Sequence, residues 1–318
     1  MKKLFVLFYA LMCLVTLQAQ KVTLQDVANG TYRAQSIQGL KPMLDGEHYT
    51  QISKDHKRIV KYSFKTGKEV ATIFDVATAR NHKLKSFDNY IMSPDESLIL
   101  IQTETKPIYR RSFTAIYYIY NVRNRTLEPL SNNGPQQVPL FSPDSHQIAF
   151  VRNNNIYLIK LLFGNSESQV TKDGEYNKVL NGIPDWVYEE EFSYNRAFDF
   201  SADSKMIAYV RFDESQVPMY SFPWYKGMAP EKTEYTTYPG SYDYKYPKAG
   251  VVNSKVSVHS FDIKSRVTRK MELPVDSDGY VPRRKASHHD IESSPEPLRP
   301  LYGQPTQCHL QSGHPRRG

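Results

Sequence analysis

Three consecutive carboxylates, Glu189, Glu190 and Glu191, follow the aromatic run Trp186-Val187-Tyr188, with a fourth acid, Asp185, just ahead of it. Adjacent carboxylates repel, so in a shielded place one of them takes up a proton unless a cation sits between them. The residues alone leave two readings open: a solvated charged face, or a site that awaits a positively charged ligand. A second equipped stretch is Tyr109-Arg110-Arg111-Ser112, just ahead of the aromatic run Thr114 to Tyr120. A guanidinium donates forked hydrogen bonds and so makes a good clamp on an oxygen; the plainer reading is a surface or ion-paired arginine. Other chemistries lack their residues. The 318 residues hold no His-Glu-x-x-His, no Gly-rich phosphate loop and no Gly-x-Ser-x-Gly elbow, so no metal or other cofactor is expected.

The run Asp185-Trp186-Val187-Tyr188-Glu189-Glu190-Glu191 resembles, residue for residue, the signature of the dipeptidyl peptidase IV family. The resemblance implies that Glu190 and Glu191 bind the free amino terminus of a peptide substrate. It also implies that Arg110 holds a carbonyl of the bound dipeptide, whereas Arg111 stands where the family often has another residue. Spacing alone assigns none of these roles. The implied partners are peptides with a free amino terminus and Pro or Ala second, and members of the family are often homodimers. In the family a Ser-Asp-His triad lies on an α/β-hydrolase domain after the propeller. With no elbow for such a serine, the expected function is substrate recognition for a serine-type dipeptidyl peptidase, in a chain inactive alone. A reading from a different class is a periplasmic propeller that binds proteins and has no catalytic role. The Asp185–Glu191 run separates the two, because a generic binding propeller has no reason to carry it.

These residues need a scaffold, and the chain repeats itself. Met92-Ser93-Pro94-Asp95, Phe141-Ser142-Pro143-Asp144 and Phe200-Ser201-Ala202-Asp203 each precede a β-rich run, and their serines lie 49 and 59 residues apart. An imperfect earlier copy is Ile52-Ser53-Lys54-Asp55. Pro presets φ for a tight turn, and Asp hydrogen-bonds its own backbone. Strand, turn and strand at a period near fifty residues predict four-stranded blades. The expected class is all-β, a partial β-propeller of about four to five blades over residues 45–282, where the family has eight. Thr114 to Tyr120 and Val256 to Ile263 read as strands. Residues 211–250, interrupted by five prolines, read as strands joined by long rim loops. Residues 21–44 read as an arm with a short helix after Thr23 and a turn at Gly30.

The ends differ from the middle. Lys2 and Lys3 ahead of the apolar run Leu4 to Leu17, with Ala19 near a cleavage point, read as a secretory signal over residues 1–20. The protein is therefore expected to be exported, to a bacterial periplasm or the cell surface. Once Cys13 leaves with the signal only Cys308 remains, so no intrachain disulfide is expected. The net charge is +8, but Lys2 and Lys3 supply two and residues 283–318 three, which leaves +3 for residues 21–282. That is ordinary for a soluble domain, and nucleic-acid binding gains no support. Residues 283–318 hold five prolines, four of the nine histidines, and no Phe, Trp, Val or Met. They read as a disordered tail or, preferred here, as the product of a lost coding frame.

Overall fold

The computed structural model describes residues 21–34, 39–225, 238–272 and 279–281. The expected signal at 1–20 and tail at 283–318 lie outside them. The chain divides into two compact units, Met1–Leu40 and Lys41–Gly318. In the first, Thr23 caps helix α1 (Leu24–Ala28) through a reciprocal capping box with Asp26, and Gly30 turns the chain at φ +66°.

The second unit is a partial β-propeller. Its first sheet is β1 (Lys41–Pro42), β2 (His48–Ile52), β3 (Arg58–Ser63) and β4 (Glu69–Asp75), paired in that order. The second is β5 (Asn89–Met92), β6 (Leu98–Pro107), β7 (Phe113–Asn121) and β8 (Leu127–Pro129). The third is β9 (Gln137–Phe141), β10 (Gln147–Arg152), β11 (Asn155–Lys160) and β12 (Ser166–Gln169). In the fourth, β13 (Val179–Asn181) and β14 (Phe198–Phe200) both pair with β15 (Met206–Asp213), followed by β18 (Lys255–Asp262) and β19 (Thr268–Met271). All of these pairings are antiparallel.

The repeated turns have one construction. Ser93 Oγ donates to Asp95 at 2.7 Å and accepts the N–H of Leu98 at 2.9 Å. Ser142 and Ser201 do the same with Asp144 and Gln147, and with Asp203 and Met206. The imperfect copy follows suit: Ser53 pairs with Asp55 and Arg58. The turn serines also join neighbouring sheets. Ser145 Oγ accepts the N–H of Asp95 at 3.2 Å, and Ser204 Oγ that of Asp144 at 3.1 Å.

Side chains alternate across a strand, and here both faces are covered. Ile99 and Ile101 of β6 pack with Ile59, Phe74 and Tyr90 towards the first sheet, while Leu100 packs with Phe141, Ile148 and Phe150 of the third. In β10, Ile148 and Phe150 face the second sheet, and Ala149 and Val151 meet Phe198, Ile207 and Phe261 of the fourth. Burial on both faces explains why these strands are apolar runs without polar alternation. Each large side chain withdrawn from water contributes roughly 1.5–3 kcal/mol.

Residues 211–250 depart from the blade pattern in a specific way. β16 (Met219–Trp224) and β17 (Gly240–Lys245) form a separate two-stranded ribbon, with Met219 opposite Lys245 and Trp224 opposite Gly240. Its rings pack on one another: Phe222 stacks on Tyr244 at 5.4 Å, and Trp224 meets Tyr242 at 4.6 Å.

Candidate functional site

The first strand of the fourth sheet is split. β13 ends at Asn181 opposite Arg211, and β14 begins at Phe198 opposite Tyr209. Val210 alone bridges the gap: its O accepts the N–H of Gly182 at 3.0 Å, and its N–H donates to Ala197 O at 2.8 Å. Ala197 N–H donates in turn to Gly182 O at 2.8 Å, so residues 183–196 leave and rejoin the sheet through one rung. Gly182 suits this neck twice over. Its φ is +75°, and a Cβ there would sit 2.9 Å from the Ile156 side chain and 3.0 Å from the Phe198 ring. Gly182→Ala is expected to destabilise by about 1–3 kcal/mol, read as a lower urea midpoint; an unchanged midpoint would show that the neck tolerates a side chain.

The excursion carries helix α2 (Trp186–Phe192). Asp185 is its N-cap, accepting the N–H of Tyr188 at 2.9 Å, and the Ser254 hydroxyl donates to its other oxygen. Burial pushes the Asp185 carboxyl up, against the pull of Ser254 and the Tyr188 N–H. Ser193 ends the helix in the left-handed region at φ 62°. Tyr188 points inwards, lies edge-on to Phe212 and Phe192, and accepts the Val281 N–H on its hydroxyl at 2.9 Å.

A helix turns by about 100° per residue, so the three glutamates diverge. Glu189 goes inwards and is 1% exposed. Its Oε1 accepts the N–H of Arg111 at 2.6 Å and of Ser112 at 2.8 Å. The Glu190 side chain is 17% exposed and its Oε2 meets Arg110 Nε at 2.9 Å, with the Arg110 side chain itself 71% exposed. The Glu191 side chain is exposed and makes no hydrogen bond or ion pair among the described residues.

Arg110 comes from a different sheet. β6 and β7 outgrow the rest of the second sheet, with a register shift between Thr103 and Lys106, and their hairpin tip presents residues 108–112. The tip is tied to the excursion and the ribbon. Asn195 Nδ2 donates to Arg111 O at 2.9 Å, Arg111 Nη2 to Ser193 Oγ at 3.0 Å, and the Tyr242 hydroxyl to Ile108 O at 2.8 Å. Aromatic rings flank the arrangement: Tyr109 packs 5.6 Å from Tyr244, and Trp186 4.6 Å from Tyr246. Burial, then the charge of Glu214, pushes the Tyr109 hydroxyl far up.

Of the residues singled out from the sequence, Arg110 and Glu190 are thus in contact, whereas Glu191, the next residue on the same helix, is exposed and makes no ion pair with Arg110. Sequence reasoning named Glu189 without giving it a role, and missed Asn195 and Tyr242. Asp185 alone carried a local signal, as an acid three residues ahead of the N–H it caps. No cluster of three or more His, Cys, Asp or Glu side chains that could hold a metal occurs among the described residues.

Comparison with known proteins bears on this arrangement. The family described as "Dipeptidyl peptidase IV (DPP IV) N-terminal region" matches residues 93–287, more than half of the chain. Human prolyl endopeptidase FAP is 33% identical over 245 residues, 76% of this chain and 30% of that protein. A probable dipeptidyl-aminopeptidase B of Emericella nidulans is 40% identical over 196 residues, 58% of this chain and 21% of that protein. The crystal structure of Porphyromonas gingivalis dipeptidyl peptidase 4 superposes with a TM-score of 0.76 at 44% identity, covering 83% of this chain and 37% of that one. The chain therefore spans about a third or less of the length of the curated relatives it matches. A family match across three blades, the identity to several relatives and the shared fold agree: the chain belongs to the dipeptidyl peptidase IV family, in its N-terminal region.

Proposed function

We propose that this chain is the substrate-recognition part of an exported serine-type dipeptidyl peptidase that removes X-Pro or X-Ala dipeptides from free amino termini. Glu190 and Glu191 bind the substrate ammonium, and Arg110 clamps a carbonyl beyond it. The observation that carries the reading is the 2.9 Å contact between Arg110 and Glu190, which joins residues from two different sheets. An ammonium has three donors and no acceptor, so two neighbouring carboxylates suit it. Charge-assisted bonds give such a grip both strength and direction. A dipeptide is measured from its amine, so a carboxylate and a guanidinium set the length. Hydrolysis falls to a serine nucleophile, and no elbow for one occurs in this sequence; the chain alone binds without cutting.

Calorimetric titration with the tripeptide Ala-Pro-Ala and its N-acetyl form tests the reading. Acetylation is expected to weaken binding by about a hundredfold, the scale of removing one partner of a desolvated charge pair. Glu190→Gln should weaken the free-amine peptide similarly and leave the acetylated one unaffected. Equal affinity for the two peptides would sink the proposal. Export is tested separately by cell fractionation, where an unprocessed cytosolic product would refute it.

A further inference from the structure

We propose that Glu189 is a positioning residue: its buried carboxylate grips the backbone of Arg111 and Ser112, and so sets the direction from which Arg110 meets Glu190. Its importance for a peptide ligand rests on the function proposed above, whereas the positioning stands on the geometry alone.

The contact is long-range. Glu189 lies on the excursion from the fourth sheet, while residues 111 and 112 belong to the hairpin of the second, 78 and 77 positions earlier. Two consecutive N–H groups converge on one carboxylate oxygen, at 2.6 and 2.8 Å. Successive backbone donors make a concave anion site, and bonds to a charged acceptor are the strong kind. Among the described residues, the other hydrogen bonds and ion pairs from the excursion and the ribbon to the tip end on Ile108 O, on Arg111 O and on the side chains of Arg110 and Arg111, none of them on the Arg111 or Ser112 N–H. The peptide that directly follows Arg110 is therefore held by Glu189.

The helix does not need Glu189 for its own sake. Asp185 caps it and Tyr188 anchors it. Filling space does not explain a carboxylate there either. Glu189 Oε2 is buried and makes no hydrogen bond among the described residues, which costs free energy. A glutamine would offer the same acceptor without burying a charge. What the carboxylate adds is a stronger hold on the two N–H groups.

The test uses Glu189→Gln and Glu189→Ala in the full chain, with two readouts. Hydrogen exchange at the Arg111 and Ser112 amides is expected to quicken by about tenfold in the Gln variant and by more in the Ala variant, as weakened or lost hydrogen bonds should. Amides of Ala149 and Leu158, inside the third sheet, should keep their wild-type protection. Ala-Pro-Ala should bind the wild type best, the Gln variant less tightly and the Ala variant least. Wild-type exchange at Arg111 and Ser112 in Glu189→Ala overturns the proposal. So does loss of third-sheet protection in Glu189→Gln, which would make Glu189 a residue of the fold at large. If exchange changes as expected but the wild type ignores the tripeptide, positioning holds and the proposed function fails. If tripeptide binding falls while exchange stays put, the function holds and positioning fails.

Discussion

Tyr188→Ala should unfold about 3–5 kcal/mol more easily than the wild type, the range for removing a large buried ring. Tyr188 is fully buried among Phe192, Tyr194 and Phe212. It is the side chain that seats α2 on the fourth sheet. Tyr188→Phe separates packing from polarity, because it keeps the ring and removes only the acceptor for the Val281 N–H. That variant should lose about 1–3 kcal/mol, the cost of one buried group left without its partner. Urea titration with an unchanged slope measures both. If alanine costs under about 1 kcal/mol, the helix is held elsewhere, and Glu190 and Glu191 need another explanation for their placement.

The second large effect is a pH dependence centred on Glu214. This residue is 6% exposed, and its carboxyl is pushed up to about 7, first by burial and then by the neighbouring charge of Asp185, with Lys245 pulling the other way. A carboxyl with a higher value folded than unfolded binds its proton more tightly in the folded state. Its contribution to stability is therefore full below the ordinary glutamate value and drains away as pH rises through about 7. The loss is on the order of 3 kcal/mol. Glu214→Gln should remove that slope and leave the variant more stable than the wild type at pH 8 by a similar amount. His259, held below its ordinary value mainly by burial, has the opposite sign and weakens the fold as pH falls. Subtracting the variant from the wild type at each pH isolates the carboxyl. Parallel stability curves from pH 5 to 8 would show that Glu214 ionises freely in the folded chain.

Local physics was legible in the sequence and long-range geometry was not. Ser93-Pro94-Asp95 and its copies are turns whose hydrogen bonds close within five residues, so four residues suffice to read them. The strands between them were legible for a similar reason. Ile148-Ala149-Phe150-Val151 has no polar position, as double-sided burial demands, and it forms β10. The ribbon β16–β17 was harder. Pro223 argues against a strand, and only pairing with a segment sixteen or more residues away accommodates it. Helix α2 was not read at all, because Trp-Val-Tyr favours strands and the element is seven residues long. In the site, Glu190 and Arg110 emerged through family resemblance, since their partnership spans 80 residues. Glu189 stayed hidden among identical neighbours. Helical rotation alone separates an inward glutamate from an outward one, and that rotation requires the helix first.

The one-rung neck at Gly182 and Ala197 has an evolutionary corollary. An insert hung from a single point on a ladder can lengthen, shorten or change its chemistry while the strands either side keep their register. The signature run Asp185–Glu191 can therefore be kept while the segment that returns the chain to the sheet, residues 192–196, changes in length, and sequence comparison should find insertions and deletions there, sparing the flanking rungs.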